Sequence, residues 1–547
     1  MNFKLCSVKI FTLQGVKTVP FVIKKKIMNY TYLYEVTSYR DENGEPRNKQ
    51  VPIGKIDSQG QVQYKAEYIE RMMEAGTPLA IGEQAHFSEQ EIRDSVIKEY
   101  GASYFLKSIA CTIGLEKILE SAFPEHWKEL LVLAVYLICT EDPFMYCCHW
   151  LETTETLPVG NLSSQRISEL LASMTVEGRT AFFTEWTSYR QEKEYLALDI
   201  TSVSSWSELI DDVAYGYNRD HDDLPQVNIC MLMGEESLLP IFQVVYEGSI
   251  TDVSTFMTTL KIAFSYDKAG QKEHLLVMDK GFSKIAYINA MLAEPGIRFI
   301  VPVSFTTKFA KSQVKSEKKD IDSLKNTIPS GSGSVRGVTK LRTWSAGKKL
   351  HTHIVFNAMK AFKSKDELYT HTTRLKEIAM EDPDNKDYQA DIKKYLIVRS
   401  SATAENRRTV NIREDVIEAE LETTGWAVFV SNDVDDCRRA LNIYRAKDVV
   451  EKGFLRLKNS IDLGRLRVHS QNSMQNKVFV GFLSLILLSH IHKVMAEKDF
   501  YKDMTMKELL IILRKLRVQY INGTRILFPV SKVQKRIFEG FSIALPE

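Results

Sequence analysis

The run Leu196-Ala197-Leu198-Asp199-Ile200-Thr201-Ser202-Val203 constrains this chain more than any other. Its apolar and β-branched residues suit a buried strand, yet a carboxylate stands inside it. Burying an isolated charge is costly, so something is expected to bind Asp199. Val227 to Met233 and Leu238 to Tyr246 read as two further strands, the second closed by Glu247-Gly248. A helix starts near Asp252, a suitable N-cap, and runs to about Tyr266. His274 to Met278 is then a short buried strand ending on Asp279-Lys280-Gly281-Phe282. Ser283 caps another helix, and Ile297 to Val303 gives a fifth strand.

The resulting order is β-β-β-α-β-α-β, a three-stranded meander followed by alternating units. That is the ribonuclease-H-like order, an α/β class with a mixed sheet, and it requires one more helix across the sheet. No such helix follows directly. Roughly 120 residues intervene, with the flexible run Ser330-Gly331-Ser332-Gly333-Ser334 and strand-like pieces around His351 to Phe356 and Tyr395 to Arg399. So long a stretch is expected to be a folded, strand-rich insertion. The pattern resumes with Gly425-Trp426-Ala427-Val428-Phe429-Val430, and a single helix is expected over Ile443 to Lys458.

That helix carries two stripes. Ile443, Ala446, Val450, Phe454 and Leu457 recur at steps of three and four and form the face that packs on a core. Tyr444, Lys447, Glu451 and Lys458 fall on an adjoining face. Alone, this second stripe reads as a solvated surface with a Lys447/Glu451 ion pair worth a few tenths of a kcal/mol.

With 547 residues the chain exceeds one ordinary core. The sequence divides into an N-terminal β-hairpin unit (1–62), a helical region (63–193), the first part of the α/β core (194–303), a basic insertion (304–424), the second part of the core (425–500) and a C-terminal helical region (501–547). In the first of these, Tyr30 to Val36 and Lys49 to Ile53 flank Asn43-Gly44, the dipeptide best suited to a tight turn. Helical patterns follow at 64–75, 88–99, 102–121, 124–140, 164–174 and 176–193, and after the core at 477–494, 507–517 and 531–541. Either the hairpin unit or the helical region is a candidate for recognising DNA.

The apolar runs Leu130 to Cys139 and Val478 to Leu488 are short of the roughly 20 residues a bilayer requires, so both are expected to be buried helices. Lysines at 4, 9 and 17 interrupt the N-terminal apolar residues, and no secretory signal is expected. Seven scattered cysteines suit a reducing compartment, so a cytoplasmic location with neither disulfides nor zinc is expected. The net charge is only +2, which argues against a protein dedicated to coating nucleic acid. Yet from Thr306 to Leu350 eleven basic residues, among them Arg336, Lys340, Arg342, Lys348 and Lys349, face three acidic ones. That local surplus marks an electrostatic patch. His221 with Asp222 and Asp223 could mimic a metal site, but a polar loop is the simpler reading.

In a ribonuclease-H-like sheet the first and fourth strands are neighbours. Asp199 and Asp279 would then lie side by side, and Glu451, from the helix across the sheet, would complete a cluster of three carboxylates. Such a cluster repels itself unless a cation is present. Two Mg²⁺ or Mn²⁺ ions, which favour hard carboxylate oxygens, resolve the repulsion. A pair about 3.5–4 Å apart can activate a water or sugar hydroxyl and stabilise the leaving oxygen of a phosphodiester displacement.

The sequences around the three acids resemble bacterial insertion-sequence DDE transposases, in particular the insertion-sequence-four type with the signature Tyr-x2-Arg-x3-Glu-x6-Lys. Here Tyr444, Lys447, Glu451 and Lys458 keep every spacing, with lysine where arginine is usual. Further matches are Leu198-Asp199-Ile200-Thr201-Ser202, Tyr215-Gly216-Tyr217-Asn218-Arg219-Asp220-His221 and Val277-Met278-Asp279-Lys280-Gly281-Phe282. The resemblance implies metal-dependent cleavage at terminal inverted repeats and attack of the freed 3′ hydroxyls on target DNA. Asp199, Asp279 and Glu451 would be the catalytic metal ligands. Tyr444, Lys447 and Lys458 would touch the DNA backbone, and the basic insertion would add salt-sensitive contacts with double-stranded DNA, Trp344 stacking on an unpaired base. A homodimer bringing two element ends together is implied, with no membrane role. The alternatives are a ribonuclease-H-like nuclease that does not join strands, and a transposase-derived DNA-binding protein without catalysis. Arginine grips phosphate through a planar fork, whereas lysine offers a point charge, so position 447 bears on the choice.

Overall fold

The computed structural model describes residues 21–27, 30–40, 45–56, 62–68, 71, 93–189, 194–205, 207, 209–215, 224–249, 253–265, 273–330, 333–345, 347–400, 408–459, 466, 468 and 470–547. The chain divides into two compact units, Met1–Ser95 and Val96–Glu547.

The first unit holds an antiparallel sheet of β1 (Phe21–Ile27), β2 (Tyr30–Arg40), β3 (Pro46–Ile56) and β4 (Val62–Tyr64), paired in chain order. β2 and β3 flank the expected Asn43-Gly44 turn, which lies outside the described residues, and Arg40 pairs with Pro46. β1 was not anticipated. Leu33, Ile53 and Tyr68 are buried together on one face of the sheet. Of the helix expected at 64–75, Tyr64 is instead the end of β4, and Ala66–Tyr68 and Arg71 are helical.

The second unit opens with β5 (Val96–Glu99) where helix had been expected over 88–99, a range whose first five residues lie outside the described set. The β-branched Val96 and Ile97 suit a strand, and a distant partner supplies its hydrogen bonds. Six helices follow: α1 (Gly101–Thr112), α2 (Leu115–Ala122), α3 (Trp127–Thr140), α4 (Cys147–Thr153), α5 (Ser164–Ser173) and α6 (Val176–Tyr189). The single helix expected at 102–121 is thus two, divided at Gly114, whose left-handed φ of 74° ends the first.

The sheet is built from β6 (Leu196–Ser204), β7 (Gln226–Gly234) and β8 (Pro240–Glu247), then α7 (Val253–Ser265), β9 (His274–Met278), α8 (Ile285–Ala293) and β10 (Ile297–Pro302). These five strands lie in the spatial order β8-β7-β6-β9-β10. β7 runs antiparallel to both β6 and β8, whereas β9 runs parallel to β6 and β10 parallel to β9.

The segment 304–424 does not form one separate insertion. After α9 (Lys308–Glu317), strands β11 (Thr327–Ser330), β12 (Gly333–Ser345) and β13 (Lys348–Phe356) join the main sheet. The Ser330-to-Ser334 run is no linker, because Ser330 and Gly333 are cross-strand partners. A second part has its own small core around Leu375, Ile392, Tyr395 and Val410. It comprises α10 (Ala358–Glu381), α11 (Gln389–Tyr395), the hairpin β14 (Leu396–Ser400) with β15 (Arg408–Ile412), and α12 (Glu414–Leu421). Next, β16 (Trp426–Ser431) enters between β10 and β13, antiparallel to both, and completes nine strands in the order β11-β12-β13-β16-β10-β9-β6-β7-β8. The free edge of β10 takes β16, whose far edge takes β13, so the insertion's strands satisfy main-chain groups that would otherwise be exposed.

The expected helix over 443–458 is two, α13 (Cys437–Ala446) and α14 (Asp448–Asn459), separated at Lys447. Then α15 (Gln471–Glu497) runs through the core. With 27 residues it is long and apolar enough to cross a membrane, so the apolar run at 478–488 belongs to a longer helix than the sequence suggested. Its apolar window is 78% buried within the protein. The guanidinium of Arg179 on α6 reaches it, donating to Asn472, Gln475 and Asn476.

The C-terminal region is not wholly helical. Between α16 (Met506–Arg514) and α17 (Lys532–Gly540) lies a hairpin, β17 (Arg517–Ile521) with β18 (Thr524–Leu527). Asn522-Gly523, both with positive φ, make its turn. β17 also pairs with β5, so the two ends of this unit share one sheet.

Candidate active site

In the parallel ladder between β6 and β9, Leu196 pairs with Leu276, Ala197 with Val277 and Leu198 with Met278. The next residue on each strand is an aspartate, so Asp199 and Asp279 leave the ladder side by side. Asp199 is 2% exposed, and its Oδ1 accepts the Ile200 backbone N–H at 2.8 Å. Asp279 is half-buried and opens the 3₁₀ turn Lys280–Ser283.

The third acid arrives from α14. Asp199 lies opposite Met231, and Ala197 opposite Met233, so these four side chains share one face of the sheet. α14 packs against β6 and β7. Gly453 permits that approach, because a Cβ there would lie 2.5 Å from the Met233 sulfur. Glu451 stands two residues earlier, its side chain 54% exposed.

Tyr444, at the end of α13, stacks at a tilt on Phe429 of β16, ring centroids 4.7 Å apart. Its phenol is pushed up to about 12, first by burial and then by the negative charges of Asp279, Glu451 and Asp199. One hydroxyl therefore feels all three acids. Lys447, 2% exposed, sits at the break between the helices, and its Nζ donates to Glu451 Oε1 at 2.8 Å. Lys458 belongs to α14, but its side chain lies outside the described residues.

The arrangement suits a divalent cation by donor chemistry. Three carboxylates act on one hydroxyl, and hard oxygen donors are what Mg²⁺ and Mn²⁺ favour. Among the described residues no three His, Cys, Asp or Glu side chains already form a closed metal cluster. Glu451 is engaged by Lys447. Asp199, Asp279 and Glu451 would hold the metal, which supplies nucleophile activation and leaving-oxygen stabilisation when bound. Lys447 would keep Glu451 oriented, and Tyr444 would present a protonated hydroxyl, a hydrogen-bond donor at neutral pH.

Of the basic residues of 304–350, Arg336, Lys340 and Arg342 lie on β12, Lys348 and Lys349 on β13, and Lys308, Lys311 and Lys315 on α9. Arg336 pairs with Asp322 at 3.1 Å and Arg342 with Glu317 at 2.9 Å. Lys348 donates to the Leu292 carbonyl at 3.1 Å, whereas Lys340 and Lys349 are exposed. Trp344, half-buried, packs edge-on against Phe309 of α9 with its indole N–H buried. His221, Asp222 and Asp223 lie outside the described residues, as does most of the Tyr215-to-His221 match. The sequence reading missed Phe429 and Gly453. A glycine inside an amphipathic helix, two residues past the candidate glutamate, was the signal for the second.

The sequence matches the family model described as the transposase DDE domain over residues 190–487, more than half of the chain. The protein therefore belongs to the DDE transposase domain family, whose activity is DNA transposition. Among solved structures, the cryo-EM structure of a piggyBac transposase synaptic complex with hairpin DNA is similar over 74% of this chain and 70% of that one, at 9% identity and a TM-score of 0.32. No curated protein matches the chain.

Proposed function

We propose that this protein is a transposase of the insertion-sequence-four type, acting through a ribonuclease-H-like core formed by β6–β10 with α14. Asp199, Asp279 and Glu451 bind two Mg²⁺ or Mn²⁺ ions and cut DNA at the terminal inverted repeats of its element. The freed 3′ hydroxyls are then joined to target DNA. Tyr444, Lys447 and Lys458 position the backbone of the end being cut, and the protein works as a dimer because two ends must meet. The observation that carries this reading is the Asp199/Asp279 register together with the Tyr444 phenol, which all three acids perturb.

The test is cleavage and strand transfer on DNA carrying the element's own ends. Asp199→Ala, Asp279→Ala and Glu451→Ala should each abolish both steps while leaving the melting temperature within a few degrees. Wild-type rates in all three variants would refute the assignment. Cleavage without joining in the unmodified protein would instead mark a nuclease, and DNA binding without either step a non-catalytic descendant.

A further inference from the structure

The long helix α10 turns one side to its own small core, where Leu375 and Ala379 are buried. A second stripe runs along its outer side. Phe362, Asp366, Tyr369, Thr373, Lys376 and Met380 recur at alternating steps of four and three, and all of them are exposed. Phe362 is 70% exposed, Met380 51% and Tyr369 47%, and Met359, one step earlier, extends the stripe at 74%. This spacing keeps the side chains on one side of the helix along most of its length, as in the seam between two packed helices. Large apolar side chains aligned in that way on a surface mark an interaction site. The charged members, Asp366 and Lys376, stand too far apart along the chain to pair within one helix.

The stripe is complementary to itself in one register. Where α10 meets another α10 running antiparallel, with Phe362 opposite Met380, the same register sets Tyr369 opposite Thr373 and Asp366 opposite Lys376. Two-fold symmetry repeats each contact, so both charges of each copy meet an opposite charge. Beside the seam Lys363 comes next to Glu377, both exposed. A parallel pair would instead set Asp366 on Asp366 and Lys376 on Lys376, like charge on like. We infer that α10 pairs antiparallel with α10 of a second copy of this chain, the stripe from Phe362 to Met380 forming the seam. The Asp366 and Lys376 contacts fix direction and register, while Phe362 and Met380 are buried together at both ends. The proposed function calls for two copies but assigns them no surface. This pairing needs neither DNA nor metal, so it stands or falls apart from the catalytic reading.

The experiment is sedimentation velocity of the full chain in EDTA, without DNA, over a range of protein concentrations. The unmodified chain should dimerise as its concentration rises. Phe362→Glu should weaken the dimer at least about tenfold, because it removes a buried ring and sets a charge at both ends of the seam. Asp366→Lys and Lys376→Asp should each weaken it roughly tenfold by turning two attractions into two repulsions, and the double variant should recover to within about threefold of the unmodified chain. These side chains are exposed, so the melting temperature at low concentration should stay where it is. Recovery in the double variant is a readout that damage to folding cannot give. A chain monomeric at every concentration, a dimer that Phe362→Glu or the single reversals leave intact, or a double variant as weak as the singles overturns the inference. Loss of duplex DNA binding in Phe362→Glu with unchanged self-association would make the stripe a DNA contact and also overturns it.

Discussion

Lys447 reaches Glu451 from inside the fold, the lysine side chain 3% exposed and the glutamate 54%. A fixed ammonium beside a carboxylate proposed to bind metal competes with any divalent cation. At an effective dielectric of about 20–80, a charge some 5 Å away shifts binding by roughly one to several kcal/mol. Lys447→Met is therefore expected to raise Mg²⁺ affinity by at least about fivefold in calorimetry, while DNA cleavage falls because the proposed ligand Glu451 loses its guide. Unchanged metal affinity would mean the pair is incidental. Two other side chains give opposite pH signatures. Glu235 is pushed up to about 7 by burial and then by Glu236 and Glu194, against Arg439. Between its ordinary 4.5 and about 7 the folded state holds a proton that the unfolded chain has released, so stability falls as pH rises through that window. Glu235→Gln should narrow the gap in melting temperature between pH 5 and pH 8, by a few degrees at most because the group is partly solvated. His353 is pushed down to about 4 by burial and then by His351, against the Val434 backbone and the charges of Asp436 and Asp435. It stays neutral where the unfolded chain takes up a proton, so its contribution is lost as pH falls from about 6.5 towards 4. A His353→Gln variant with the same acid midpoint as the unmodified protein would exclude that contribution.

Among the elements, α14 is the one whose placement decides chemistry. Gly453→Ala gains helix propensity of about 1 kcal/mol but drives a methyl into Met233, and overpacking costs about 1–3 kcal/mol. The expected result is a small change in melting temperature with a large loss of cleavage, because the helix must move and Glu451 moves with it. Cleavage should return in the Gly453→Ala, Met233→Ala double variant; a double variant as inactive as the single one would show that Gly453 serves something else. Much of this site was legible in the sequence, since β6 to β8 form a meander followed by alternating helices and strands, and Asp199 within β6 and Asp279 just past β9 follow paired residues of adjacent strands. The division of the 443–458 helix was not. No glycine or proline stands at Lys447, and the burial of its side chain at the break is a tertiary effect. Nor could the sequence show that β11–β13 extend the main sheet, because pairing with β16 links residues about 75 apart. The C-terminal hairpin was a missed signal, its Asn522-Gly523 the same dipeptide read as a turn at Asn43-Gly44.

At the scale of the molecule, the unit from Val96 to Glu547 is closed by a strand from each end, with Val518 fully buried between β5 and β18. β17 is the middle strand of that sheet, where proline removes a ladder hydrogen bond. Gln519→Pro is thus expected to lower the melting temperature of the whole unit as one cooperative calorimetric transition. A separate early transition, with the main one unmoved, would show that the end sheet frays by itself. The order of the acids along the chain has a further consequence for a protein made from its N-terminus. Asp199 and Asp279 can settle into adjacent strands early, but Glu451 lies roughly 170 residues later, beyond strands that widen the same sheet. At about 5–20 residues per second, roughly 10–35 s of translation separate the second acid from the third. For that interval the nascent chain holds two of the three proposed carboxylates and no means of completing the proposed centre, so its chemistry would wait on the arrival of α14.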